Sequence, residues 1–264
     1  GIESAVPALD SSRIAGGQAA RANMTTDTVP KETVETGDGF VVGGMAKGAG
    51  MVRPDMATLL AVLTTDAIVA PDDLAEGLHT AVDRSFHALN IDGCGSTNDT
   101  VIVLASGASG VEPDPLDLAG GLTGACRHLT EQLAADAEGA TRVVALRVTG
   151  AKDDVTARNA GRAITDSALV RASFYGGDPN WGRLLGALGA SDIDFDPMLV
   201  SVSYQGVPVA TGGLAGEHDE ESLLAALAAG DFVVAIDLGL GSGEATVLTT
   251  DLTPKYVRFN GERS

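Results

Sequence analysis

The sequence predicts an α/β or α+β fold in which mixed sheets are flanked by helices. Segments with helical apolar spacing alternate with short β-branched segments, and this interleaving is typical of that class. The chain has 264 residues, 44% of them hydrophobic and 20% charged, so it is long enough to bury a large core. It shows no internal repeat and no low-complexity linker, and the loop at 192–197 is the candidate domain boundary.

The first half of the chain contains three predicted helices and three predicted strands. Leu74, Leu78, Val82, Phe86 and Leu89 recur at helical spacing and predict an amphipathic helix over 72–90. Short apolar runs predict strands at 40–42, where the chain continues into glycines, at 57–65 and at 100–105. The other two helices are expected over 7–24 and 114–138.

The second half alternates in the same way. A strand over 142–149 precedes a helix over 153–167, and an apolar run at 172–175 predicts a strand that ends at two glycines. The turn at 178–180 favours an N-cap that starts another short helix. The remaining predictions are strands over 199–204 and 207–210, a helix over 220–229, and strands over 232–238 and 244–250.

Charge and composition exclude several classes of partner. Seventeen basic residues against 36 acidic ones give a net charge of −19, so nucleic acid and anionic membrane surfaces are poor partners. No apolar stretch approaches the roughly 18 residues of a membrane span, and the first residues do not resemble a signal peptide. Two cysteines, Cys94 and Cys126, are expected to be buried packing residues in a reducing compartment, which predicts a cytoplasmic protein.

The sequence offers no metal site, because the four histidines (His79, His87, His128 and His218) lack paired ligand spacing. Two other features carry chemistry. Lys47 stands among glycines, where backbone approaches closely and an ammonium supplies one anchored charge. Ala57–Thr58 then opens an apolar strand, as a self-cleaving enzyme with an N-terminal threonine nucleophile requires. A solvated loop lysine and a β-branched residue at the start of a strand are the plainer interpretations.

Six ordered segments resemble the ornithine acetyltransferase (glutamate N-acetyltransferase) family of arginine biosynthesis. They cover nearly the whole chain, which makes the resemblance specific. They are MTTDTVPK at 24–31, KGAGMVRPDMATLL at 47–60 followed by LTTDA at 63–67, IDGCGSTND at 91–99, AEG at 137–139, GDPNWGR at 177–183 and YVRFN at 256–260.

The resemblance implies self-cleavage between Ala57 and Thr58, followed by acetyl transfer from N2-acetylornithine to glutamate through an acetyl-Thr58 ester. It implies a layered αββα architecture of the N-terminal-nucleophile type, with no cofactor or metal. Acetyl-CoA is an optional co-substrate, and the cleaved chains are expected to form an α2β2 heterotetramer. The substrate-binding positions that it implies are Thr25, Lys47, Thr58, Glu138, Asn260 and Ser264.

The resemblance also divides the chain into three regions. Residues 1–57 would form the last part of the α chain, 58–195 the catalytic region of the β chain, and 196–264 a smaller region that closes the substrate site.

Two features depart from the family pattern. The family's Ser-Thr-Gly motif, whose Thr and Gly stabilise the oxyanion, has no counterpart, and Ser264 stands one residue short of the family's usual end. Oxyanion donors contribute about 10²–10³ in rate. A related amidohydrolase or aminopeptidase, and a non-catalytic subunit, are therefore the alternatives.

Overall fold

The computed structural model of the chain describes residues 1–53, 59–95 and 98–262. The α-helices in these ranges are α1 (Ile2–Ala5), α2 (Arg13–Asn23), α3 (Pro71–Asp83), α4 (Pro115–Ala135), α5 (Asp154–Asp166), α6 (Ala168–Gly176), α7 (Trp181–Gly189), α8 (Glu220–Ala228) and α9 (Pro254–Gly261). The strands are β1 (Lys31–Thr36), β2 (Val41–Lys47), β3 (Leu60–Thr65), β4 (Leu89–Asn90), β5 (Thr100–Ala105), β6 (Val143–Ala151), β7 (Ser201–Tyr204), β8 (Val207–Thr211), β9 (Leu214–Ala215), β10 (Phe232–Asp237) and β11 (Gly243–Thr250).

The first sheet has four strands in the order β1-β2-β3-β5. Its pairs are antiparallel except β3 and β5, which run parallel. Helix α4 packs on β1 and β2, and α3 packs on α4. Asp114 starts α4 by accepting a hydrogen bond from the Leu116 amide, and buried residues, four of them leucine, then recur every three or four positions along its inner face.

The second sheet has seven strands in the order β4-β11-β6-β10-β7-β8-β9, and it mixes parallel and antiparallel pairs. Helix α5 packs on β6 and β11. Small residues on this helix, Ala157, Ala160 and Gly161, are buried and let it approach the sheet closely. Helices therefore lie against both sheets, and the predicted mixed α/β class is confirmed.

Both sheets cross the predicted regional boundaries. In the first sheet, β2 precedes the expected cleavage site and pairs over six residues with β3, which follows it. In the second, β6 and β10 pair in parallel across residue 195. The division into 1–57, 58–195 and 196–264 stays a prediction.

Several predicted elements have different boundaries in the structure. The segment 172–175 lies inside α6 and not in a strand. Ser167 caps this helix at the Val170 amide, Gly177 ends it with φ 63°, and Val170 and Phe174 face the core one turn apart. The predicted helix over 72–90 ends at Asp83, and Phe86–Ala88 forms a separate 3-10 helix before β4. The predicted helix over 7–24 is also shorter in the structure, where α2 begins only at Arg13.

The two cysteines differ in environment and are not paired with each other. Cys126 is buried as expected, and burial raises the pKa of its thiol to about 12. The expectation for Cys94 was wrong: it is exposed, in the loop that links β4 to β5. Across the described ranges, the helices are all too short or too polar to cross a lipid bilayer.

The close approach of α5 to β11 gives a stability prediction. A Cβ at Gly161 would come within 2.7 Å of Cγ2 of Val247, a stiff core side chain. Crowding of this kind costs about 1–3 kcal/mol. Gly161→Ala should therefore lower the free energy of unfolding in urea, even though alanine is the better helix former.

Gly186→Ala is the matched control. Gly186 also lies in a helix, α7, and an added Cβ there meets no atom within 4 Å. This substitution should stabilise the protein by about 0.5–1 kcal/mol. Equal gains at both positions would contradict the proposed crowding.

Candidate functional site

A buried lysine joins two separate segments of the chain. Lys31, the first residue of β1, has no exposure to solvent. Its Nζ lies 2.6 Å from Asp27 Oδ1, 2.6 Å from Asp136 Oδ2 and 3.3 Å from the carbonyl oxygen of Val29. We call Asp27, Lys31 and Asp136 the lysine triad. Because a buried ammonium group needs opposite charge around it, the triad ties the start of β1 to the end of α4.

Asp27 extends the triad to two of the sequence-predicted positions. Its Oδ2 accepts a hydrogen bond of 3.1 Å from the Thr25 amide, and its Oδ1 accepts one of 2.8 Å from the Gly48 amide, next to Lys47. Burial alone would raise the pKa of this carboxyl, but the hydrogen bonds from Gly48, Lys31 and Thr25 outweigh burial and lower it. One carboxylate therefore fixes Thr25 relative to the end of β2.

Asp136 connects the triad to the segments that contain Thr28 and Glu138. It accepts hydrogen bonds from the hydroxyl and the amide of Thr28, and it stands two residues before Glu138. Burial opposes ionisation here too, and the hydrogen bonds from Lys31 and Thr28 lower the pKa of the carboxyl. The segment that carries Glu138 is thus anchored to the one that carries Thr25.

Glu138 and Asn260 meet directly. Asn260 Nδ2, near the end of α9, donates a hydrogen bond of 3.2 Å to Glu138 Oε2. The Glu138 amide donates to the carbonyl of Ala49 at 2.7 Å, and a Cβ on Gly50 would come within 2.5 Å of Glu138 Oε2. A side chain at position 50 would therefore displace the carboxylate from this place.

Gly139 brings α9 to the same place. Its φ is +69°, and a Cβ there would lie 2.4 Å from the Tyr256 amide nitrogen. Thr253, the N-cap of α9, donates from its hydroxyl to the carbonyl of Gly139 at 2.6 Å. The Glu-Gly pair therefore provides both a carboxylate and the space that α9 needs.

Asp92 holds the loop that follows Gly50. Its carboxylate accepts hydrogen bonds from the amides of Met51 at 2.8 Å and Val52 at 3.2 Å, and from the Tyr256 hydroxyl at 3.2 Å. Met51 has a positive φ of 53°, which this pairing helps to maintain. Burial, followed by the negative charge of Asp92, raises the pKa of Tyr256, so its hydroxyl stays protonated and donates.

Lys47 and Asp99 lie at the end of the first sheet. Lys47 ends β2 and is 6% exposed. Asp99 Oδ1 accepts a hydrogen bond of 2.8 Å from the Leu59 amide, and the Thr100 amide donates to the Leu59 carbonyl at 2.9 Å. Burial raises the pKa of Asp99, while the Leu59 amide and the charge of Lys47 oppose that rise. Leu59 and Asp99 also line a cavity of about 210 Å³ with Arg53 and His87.

Comparison with known proteins identifies the family. The model of the ArgJ family matches residues 1–264, the whole chain. This chain belongs to the ArgJ family. Arginine biosynthesis bifunctional protein ArgJ of Thermobifida fusca is 46% identical over 264 residues, which cover 100% of this chain and 68% of that relative. The protein of the same name from Mycobacterium tuberculosis strain H37Rv is 43% identical over 265 residues, covering 100% and 65%.

A solved structure agrees with the family assignment. The fold is similar to the crystal structure of arginine biosynthesis bifunctional protein ArgJ from Bacillus halodurans, with a TM-score of 0.72 and 32% identity over 75% of this chain and 96% of that one. The chain spans about two thirds of the length of the curated relatives it matches.

Four of the positions expected from the ArgJ-family resemblance surround one loop. Lys47 directly precedes the segment 48–50, and Glu138 bonds to it; Thr25 is linked to it through Asp27. Asn260 is linked to it through Glu138. Ala57, Thr58 and Ser264 lie outside the described residues. All the roles assigned to these residues stay predictions.

Sequence reasoning missed the carboxylates that hold this arrangement together. Asp27 and its partner Lys31 lie in the MTTDTVPK segment, and Asp92 and Asp99 lie in the IDGCGSTND segment, so their motifs gave a usable signal. Asp136 had none, because its partner Lys31 is 105 residues away.

The lysine triad gives the prediction for this site. Lys31→Met leaves two carboxylates facing a buried site without their cation, and removing one partner of a buried pair costs about 3–5 kcal/mol. Chemical unfolding at neutral pH should show this loss. Lys152→Met, at an exposed lysine, should leave stability nearly unchanged. A similar effect at both positions would contradict the structural role of the triad.

Proposed function

We propose that this chain is the acetyl-transferring enzyme of arginine biosynthesis, which moves an acetyl group from N2-acetylornithine to glutamate. Family membership supports this function, since the curated relatives are named as bifunctional proteins of arginine biosynthesis. The observation that carries the proposal is that Glu138 bonds both to Asn260 and to the 48–50 loop. This loop directly follows Lys47, on the polypeptide that leads to Ala57–Thr58.

The residues around that loop suit an amino-acid substrate. The Lys47 ammonium and the Asn260 amide supply donors for the α-carboxylate of N2-acetylornithine. Glu138 supplies a carboxylate for the δ-ammonium group at the other end of that molecule. Its hydrogen bond from Asn260 holds this carboxylate on the side of α9.

The chemistry follows from a free N-terminal threonine. Cleavage of the Ala57–Thr58 bond would release an α-amine with an unperturbed pKa of about 7.7–8.0, suited to act as a base near neutral pH. The Thr58 hydroxyl loses its proton to this amine and attacks the acetyl carbonyl. Ornithine leaves with that proton, and an acetyl ester remains on Thr58. The amine of glutamate then attacks the ester, N-acetylglutamate leaves, and the hydroxyl is restored.

Two further elements complete the proposal. The oxyanion donors that the family resemblance implies have no counterpart in these 264 residues, so the proposal requires another part of the functional assembly to supply them. The word bifunctional in the relatives' names supports testing acetyl-CoA as a second acetyl donor.

The fold supports an assembly in which the cleaved chains stay together. β2 pairs with β3 across the proposed cut, and the lysine triad places Asp27 and Lys31 on one side of it and Asp136 on the other. We extend this to the α2β2 heterotetramer.

An apolar face of the first sheet is exposed to solvent. Val34 is 70% exposed, Ile102 44% and Leu104 57%, as is typical of an interaction surface. We place this assembly in the cytoplasm, in keeping with the two unpaired cysteines.

Thr58→Ala tests the nucleophile. The variant lacks the hydroxyl that both reactions need, so it should remain one chain and show no acetyl transfer from N2-acetylornithine to glutamate. Mass spectrometry of the denatured protein reads both results, since the acetyl-enzyme adds about 42 Da. Thr211→Ala, at an exposed threonine of β8, is the control and should behave as the wild type.

The same measurements separate the alternatives. Cleavage of the Thr58→Ala variant would contradict the assignment of the nucleophile. Release of free acetate by the wild type without glutamate would indicate an amidohydrolase. A wild-type chain that stays intact and is never acetylated would indicate a non-catalytic subunit.

Glu138→Gln tests recognition of the ornithine side chain. The substitution keeps the shape of the group but removes the charge proposed to pair with the δ-ammonium. A charged hydrogen bond is worth about 1.5–3 kcal/mol, so KM for N2-acetylornithine should rise about 10- to 150-fold. Steady-state kinetics with each substrate varied in turn should show a smaller effect on the KM for glutamate. An unchanged KM for N2-acetylornithine would contradict the role.

A further inference from the structure

We propose that Tyr256 is a positioning residue whose hydroxyl holds α9, and with it the Asn260 amide, in place beside Glu138. The inference rests on the proposed function, because it assigns Tyr256 a role in binding the substrates. Tyr256 itself belongs to neither the substrate-binding set nor the cleavage site.

Helix α9 lies at the surface of the protein. None of its eight residues, all of which the structure describes, is buried. Isolated helices shorter than about 12–15 residues are marginal in water, so α9 is not stable through its own backbone hydrogen bonds. Its placement therefore depends on specific contacts with neighbouring segments.

The side chain of Tyr256 contacts two such segments. Its hydroxyl donates a hydrogen bond of 3.2 Å to Asp92 Oδ2, and the same oxygen accepts one of 2.8 Å from the Met51 amide. The guanidinium carbon of Arg171 lies 6.0 Å from the centre of the Tyr256 ring. Arg171 is 4% exposed and donates from Nε to the carbonyl of Thr250 at 2.9 Å, so it presents a fixed positive charge to the ring.

The backbone of Tyr256 carries this constraint to Asn260, one helical turn further along α9. Asn260 Nδ2 donates to the Tyr256 carbonyl at 3.2 Å and to Glu138 Oε2 at 3.2 Å. The hydroxyl of Tyr256 therefore fixes the helix, and its carbonyl orients the amide that the helix carries. Tyr256 acts through Asn260, without a requirement for contact with a substrate.

These hydrogen bonds close a ring around the site. From Asn260 the ring runs through Glu138, whose amide donates to the Ala49 carbonyl at 2.7 Å, and then along the backbone to Met51. There the Asp92 carboxylate leads back to the tyrosine hydroxyl. Removing that hydroxyl opens the ring at one point and leaves its other bonds in place.

Tyr256→Phe in the full-length protein tests this role. Phenylalanine keeps the ring that Arg171 covers and removes only the donor to Asp92, so the fold should be retained. In the proposed function Asn260 binds each substrate equally in the ground state and the transition state, so its displacement should raise KM and leave kcat nearly unchanged. From the net strength of one hydrogen bond, KM should rise about 3- to 10-fold for both N2-acetylornithine and glutamate.

A double-mutant cycle distinguishes positioning from a general structural effect. Asn260→Ala removes the group through which Tyr256 is proposed to act. Adding Tyr256→Phe to that variant should therefore raise KM by less than about 2-fold further. Independent effects would instead multiply.

Amide hydrogen exchange measures the same contact without activity. Loss of the bond to Asp92 favours local opening of α9, so its backbone amides should exchange about 3- to 10-fold faster in Tyr256→Phe than in the wild type. Tyr175→Phe is the matched control. It removes the hydroxyl of a tyrosine in α6 that is 44% exposed, and it should change neither the exchange in α9 nor KM.

The outcomes separate this inference from the proposed function. A wild type that transfers no acetyl group overturns the proposed function, and this inference with it. An active wild type whose KM values are unchanged in Tyr256→Phe, or whose two substitutions multiply in the cycle, overturns the role of Tyr256 alone. Unchanged exchange in α9 also overturns it, because the hydroxyl would then not hold the helix.

Discussion

The arrangement of the site depends on one fully buried ammonium group. Removing Lys31 from water is costly, and two carboxylates at 2.6 Å compensate for that cost only while both stay in place. Each carboxylate also binds backbone amides, Asp27 those of Thr25 and Gly48 and Asp136 that of Thr28. Three chain segments that are distant in sequence are thus fixed relative to one another by charge and hydrogen bonding as well as by apolar packing.

Close backbone approach completes what the ion pairs begin. Gly50 leaves room for the Glu138 carboxylate, and Gly139 leaves room for the first turn of α9. A side chain at position 139 would meet the backbone of α9, and a side chain at position 50 would displace the Glu138 carboxylate. The positions that the sequence presents as a glycine-rich stretch and a two-residue Glu-Gly motif are therefore spatial requirements of one site, whose charged groups lie on either side of the proposed cleavage point.

Apolar spacing and β-branched runs predicted the helices and strands whose sequences carry those patterns. The leucine spacing of α4 and the β-branched run of β5 needed no distant information. β1 was missed because its sequence, KETVET, is polar, and its buried first residue is a lysine paired with residue 136. The run at 172–175 was misassigned because a short apolar segment fits a strand or a helix, and the caps at Ser167 and Gly177 decide for the helix. Motif resemblance supplied the predicted site positions, but it gave no signal for Asp136.

The proposed ping-pong reaction requires one site to accept two amino acids whose side chains end in opposite charges. In the proposed reaction, Glu138 would attract the δ-ammonium of ornithine but repel the γ-carboxylate of glutamate. The adjacent Asn260 resolves this conflict in principle, because a carboxamide offers both a donor and an acceptor. Its Nδ2 donates to Glu138. In the proposed reaction, the same group would turn to a carboxylate when glutamate enters. Asn260 is exposed and near the end of a helix, so such a rotation requires no change in the core. The proposed function therefore makes recognition of both substrates depend on this pair, while the lysine triad keeps the surrounding backbone fixed.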